Sequence, residues 1–190
     1  MDRLIRSTIA VAILFAVVTI FVACDDTNDA PLAQSSTSSG AASADAGPAE
    51  ALPANLILDK SPDGAQDVIA IQKSAKAGDT VTLRGRVGGN EKPLADNRAI
   101  VTVVDPTVTT CERMPGDACA TPWDACCDPE AAAKSATIQV VGPDGRPLKA
   151  PLTGVGGIAP LKELIVTGKV RTPADSGALV VDATGIYVKG

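Results

Sequence analysis

Gly78-Asp79-Thr80-Val81-Thr82-Leu83-Arg84-Gly85-Arg86-Val87 decides how the chain is read. Val81, Leu83 and Val87 fall on one side of a period-two pattern and Thr82, Arg84 and Arg86 on the other. That predicts a strand over 80–87 with one face in a core. Gly85 in mid-strand predicts a bulge or sharp bend, the device that lets a sheet curl into a barrel. The logic returns at Val166-Thr167-Gly168-Lys169-Val170, inside a strand predicted over 164–171. Two bent strands point to a closed sheet.

Working outward, residues 65–77 read as an amphipathic helix, with Val68, Ile69, Ile71 and Ala75 inward and Gln66, Lys73 and Lys76 outward. Gly78 stands where a helix stop is expected. Residues 99–104 form a second strand that is apolar on both faces, and 136–141 a third. The last strand, 178–188, slips parity near Gly185 and implies a bulge. Leu56-Ile57-Leu58 is a short edge strand, and 160–163 one helical turn. Turns fall at Asp63-Gly64, Gly88-Gly89-Asn90 and Pro143-Asp144-Gly145. The fold class expected is mainly β: a small five-stranded OB-type Greek-key barrel over 55–190, with an N-terminal helix and a Cys-rich loop between strands 2 and 3.

The helix, the Gly-Asp-Thr-Val-Thr-Leu-Arg-Gly-Arg-Val segment, the Val-rich strand ending in Asp105 and the closing Val166–Val170 and Val180-Val181-Asp182-Ala183 segments together resemble the exported bacterial OB-fold (BOF-type) proteins. The resemblance spans 65–105 and 136–188 and implies an OB fold. Residues 105–135 stand as an insertion within it.

Two of the 17 Lys and Arg residues and six of the 22 Asp and Glu residues precede residue 55. The domain therefore holds 15 cations against 16 acids, without the basic excess of a nucleic-acid binder. The chain has no histidine, so imidazole metal sites, Ser–His and Cys–His nucleophiles are excluded. Both phenylalanines, Phe15 and Phe21, lie in the leader, leaving Trp123 and Tyr187 as the domain's aromatic rings. Single-strand binders need several such rings beside a basic groove.

Arg3 and Arg6 followed by the uncharged run 9–23 have the layout of an export signal over 1–23. The run ends Phe21-Val22-Ala23-Cys24, which resembles a bacterial lipobox. The resemblance implies cleavage before Cys24 and lipidation of its sulfur. The alternative is an uncleaved anchor, for which fifteen uncharged residues are short of the roughly twenty a span needs. Residues 24–54, rich in Ala, Ser, Asp and Pro, cannot bury enough surface to fold. They are expected to be a disordered tether with a reach of roughly 30 Å.

Cys111, Cys119, Cys126 and Cys127 all fall in the 105–135 loop with Trp123. Three readings apply. In an oxidising compartment, two structural disulfides would staple the loop, with Cys111 and Cys119 each pairing to one of Cys126 and Cys127. The same four residues could ligate zinc or an iron–sulfur cluster, although no Cys-x2–4-Cys knuckle is present. They could also act as a redox pair, with Thr121-Pro122 and Asp128-Pro129 as helix starts; Asp124, Asp128 and Glu130 oppose thiolate formation there. Trp123 is expected to anchor the loop. Arg84, Arg86, Lys169, Arg171 and Trp123 are candidates for a ligand surface.

No catalytic constellation is present, and Gly154-Val155-Gly156-Gly157 lacks the lysine of a phosphate loop. The expectation is a lipid-anchored, non-enzymatic binding or accessory protein of the bacterial cell envelope, whose OB-type barrel carries a disulfide-stapled loop, without a cofactor, with the membrane and an envelope component as partners. A thiol-dependent redox or metal-binding protein is the alternative, and a nucleic-acid-binding OB module the third.

Overall fold

The computed structural model of the protein describes residues 49–116 and 118–190. The expected signal peptide 1–23, the lipidation site Cys24 and the tether up to residue 48 lie outside the described residues. In chain order the elements are β1 (Gln66–Asp67), α1 (Val68–Ser74), β2 (Thr80–Val87), β3 (Ile100–Val104), β4 (Ser135–Gln139), β5 (Glu163–Thr172) and β6 (Leu179–Val188). Short 3-10 turns occur at Cys111–Arg113, Val155–Gly157 and Ala174–Ser176.

β2 pairs antiparallel with β3, and β3 with β4. β4 runs parallel to β6, which returns antiparallel to β5. β5 pairs antiparallel with β2 along seven residues and closes the circle. The fold is thus mainly β, a closed five-strand barrel with a single short helix among the described residues, consistent with an OB-like barrel. None of the described helices is long and apolar enough to cross a membrane.

The alternation read along β2 becomes its inner face, with Val81, Leu83, Gly85 and Val87 buried. They join Val101, Val103, Ile138, Leu164, Val166, Leu179, Val181 and Ile186 in one core. The mid-strand glycines mark close approaches between barrel strands. A Cβ on Gly85 would lie 2.8 Å from Val103 Cγ2, and one on Gly168 would lie 2.3 Å from the Asp182 carbonyl oxygen. The parity slip near Gly185 is a bulge: Thr167 faces Gly185 but Gly168 faces Ala183, which leaves Thr184 as the extra residue.

The helix is shorter than its pattern predicts. Residues 66–67 are extended and pair in parallel with Leu83 and Arg84. The Asp67 carboxylate is held by Arg84 Nε at 2.6 Å, so α1 begins only at Val68. At the far end Ala75 turns extended, the Lys76 N–H donates to Asp79 Oδ2 at 2.8 Å, and Gly78, at φ +88, donates to the Val170 carbonyl. The local Lys76–Asp79 bond and the tertiary Gly78–Val170 bond replace the last predicted turn. Leu56-Ile57-Leu58 forms a single parallel bridge from Ile57 to Ile186. The helical turn expected over 160–163 is absent, because the Leu161 N–H and Lys162 carbonyl are both spent on Val87, with Leu161 at φ 69.

Candidate functional site

Between β3 and β4 the chain leaves the barrel and comes back to the point it left. The register runs to Val104 opposite Ser135, and the Asp105 N–H donates to the Lys134 carbonyl at 2.9 Å. The segment between them is a lobe on one end of the barrel. Its apolar content is small: Val108, Ala125 and Ala131 pack on Val104, which faces out of β3 while Val103 faces in. That explains why 99–104 reads as apolar on both faces. A cluster of one valine and two alanines from the loop supplies little burial, so polar ties and sulfur must hold the lobe.

Asp105 is the principal tie. It is 2 % exposed, and its carboxylate accepts hydrogen bonds from the Ile69 N–H at 2.9 Å, the Thr107 N–H at 3.0 Å and the Thr107 hydroxyl at 2.7 Å. One side chain thus caps α1, whose own N-cap Asp67 is engaged elsewhere, and fixes the loop's first turn. Burial pushes this carboxyl up, but the Ile69 and Thr107 hydrogen bonds and the Lys134 charge outweigh it. The group is held below the usual carboxylate range.

Arg86, on the outer face of β2, ties the lobe to the barrel. Its guanidinium meets Glu112, the Thr110 hydroxyl at 3.3 Å and the Leu161 carbonyl at 3.0 Å. Glu112 is pushed up by burial and down by Thr110, Arg86 and Arg113, with a net lowering. Trp123 anchors the opposite edge. Its indole N–H donates to the Glu91 carbonyl at 3.0 Å, and its own carbonyl accepts from the Gly89 N–H at 2.9 Å. The Gly88-Gly89 turn is open enough to admit it: a Cβ on Gly88 would meet the Trp123 oxygen at 2.4 Å. The expected helix starts begin turns instead of helices. Asp124 N–H returns to the Thr121 carbonyl, and Asp128 Oδ1 caps the Glu130 N–H.

Inside this frame the cysteines converge. Cys111 opens the 3-10 turn, with its N–H on the Asp124 carbonyl at 2.7 Å. Its Sγ lies 3.6 Å from that of Cys126, which lies 3.9 Å from that of Cys127. The Cys119 Sγ is 3.4 Å from the Thr121 hydroxyl, and the sulfurs of Cys111, Cys119 and Cys126 are all within 4.8 Å of one another. The sulfurs of Cys111 and Cys126, one of the pairs expected to staple the loop, lie side by side as thiols. Burial first, then the neighbouring Cys126 and Cys119 thiols, push Cys111 up to about 12. An activated redox nucleophile needs the opposite shift.

The five candidate surface residues do not form one patch. Arg84 is bound to Asp67, Arg86 to Glu112, and Arg171 to Asp182 at 2.8 Å, the same carboxylate that accepts from Gln139. Lys169 pairs across from Thr80, at the other end of β2 from Arg86. Asp105, Thr110 and Glu112 carry more of the site than the sequence reading assigned them. The signal for Asp105 is Asp-Pro-Thr directly after an apolar strand, the composition of an Asx turn. The chain matches no protein-family model and no curated protein sequence.

Proposed function

We propose that the protein is a lipid-anchored, non-enzymatic binding or accessory module of the bacterial cell envelope, with an OB-type Greek-key barrel that presents the cysteine lobe. The observation that carries this reading is the lobe itself. About thirty residues are inserted where a two-residue hairpin would serve, then clamped by Asp105, Arg86 and Trp123. The order of the five barrel strands, antiparallel except for the β4–β6 pair, supports the OB-type reading and its resemblance to exported BOF-type proteins. The leader and Cys24 supply the anchor in this reading.

Arg84, Arg86 and Arg171 each hold a carboxylate, which weighs against a phosphate-binding face and so against nucleic acid. The reading is tested in cells by metabolic labelling with a palmitate analogue and a photo-crosslinking residue at Met114, a loop side chain that is 37 % exposed. Lipid label that Cys24→Ala abolishes, together with a discrete adduct from position 114, is expected. A chain that takes no lipid, or that crosslinks equally from exposed Lys60 in the segment before β1, would overturn it.

A further inference from the structure

We propose that Cys111, Cys119 and Cys126 form a three-thiolate site for a thiophilic closed-shell cation, Cu+ or Zn2+. Three sulfurs drawn from three separate stretches of the lobe lie within 4.8 Å of one another. A disulfide would join two of these sulfurs, whereas the cluster brings three together. Such a trio is the arrangement ligands take around one ion. With metal–sulfur bonds of about 2.3 Å, ligating sulfurs stand about 3.8 Å apart, and Cys111 and Cys126 already lie at 3.6 Å.

The surroundings select for soft ions. Among the described residues, the neighbouring carboxylates are engaged elsewhere: Asp124 accepts from the Ala125 N–H, Asp128 from the Glu130 and Thr109 N–H groups, and Glu112 pairs with Arg86. Sulfur is therefore the donor the site offers, and thiolate ligation favours Cu+ and Zn2+ over Ca2+ or Mg2+. The three residues grade from buried Cys111 through half-buried Cys119 to exposed Cys126, which gives an ion a path in from solvent. Cys111 is held through its backbone, with its N–H on Asp124 and its carbonyl on Met114. Each thiol that ligates gives up its proton, so binding releases protons and weakens as pH falls. Cys127 lies beside Cys126 but outside the trio. The site stands apart from the export reading, because the purified chain reports it wherever the protein resides.

The test uses the full chain in mild detergent, reduced and kept under argon. It is loaded separately with Zn2+ and with chelator-buffered Cu+, and metal per chain is measured after gel filtration. At least one of the two ions should be retained at one per chain. C111S, C119S and C126S should each weaken retention by at least about tenfold, and C127S by no more than about threefold. Because Cys126 is exposed, C126S keeps the test valid if C111S fails to fold, and circular dichroism identifies that case. Retention of neither ion, retention that C126S does not weaken, or equal loss in C127S would each overturn the proposal.

Discussion

Asp105 joins three parts of the molecule through one carboxylate: the start of α1, the first loop turn and, through its backbone, the loop's last residue. Asp105→Ala leaves the Ile69 and Thr107 donors without that acceptor and should cost about 2–4 kcal/mol, read as a lower urea midpoint at unchanged slope. The pH dependence follows from the same bonds. A carboxyl held below its unfolded value of about 3.9 contributes stability that is complete above that pH and lost as pH falls through the folded value. Asp105→Asn should therefore flatten the acid limb of the stability curve below about pH 4, whereas equal acid limbs in the two proteins would refute this role. At this scale the sequence was partly legible. Trp123 as a packing anchor follows from its being the chain's sole tryptophan, and its indole and carbonyl both tie the lobe to the 88–91 turn. The pairing of Arg86 with Glu112 and of Arg171 with Asp182 was not legible, because partners 26 and 11 residues apart meet only once the strands have paired.

Strands announced themselves better than their partners did. Period-two alternation placed β2 and β5, and the broken parity at Gly185 placed the bulge at Thr184. The helical pattern extends over Gln66 and Asp67 because polar residues suit its outward face, but their backbone pairs with β2, a non-local contact no window of sequence reports. The mid-strand glycines carry a direct prediction. Gly168→Ala places a methyl against the Asp182 carbonyl, which β6 cannot yield without breaking its register, and should cost about 1–3 kcal/mol by thermal melting. A second prediction concerns loop docking. Trp123→Ala removes the indole bond to Glu91 and should speed tryptic cleavage after exposed Arg113 by about tenfold, the change that accompanies roughly 1.4 kcal/mol of lost docking. An unchanged cleavage rate would show that the tryptophan does not hold the lobe.

For the whole molecule, the near-balance of charge and the three internally paired arginines leave the lobe as the most distinctive surface the barrel carries. Burial is concentrated in the barrel, while the lobe has four small apolar side chains beneath it. The barrel should therefore stand without the lobe, and the proposed binding should not. Because the two ends of the insertion already meet at Val104 and Ser135, residues 106–133 can be replaced by Asn-Gly to make a tight hairpin. The deciding measurement compares this shortened chain with the full one in cells for barrel folding and for crosslinking to an envelope component. The account predicts a barrel that still unfolds cooperatively, with the adducts seen from the full chain lost. A barrel that collapses without the lobe, or adducts that persist from barrel positions, would contradict it.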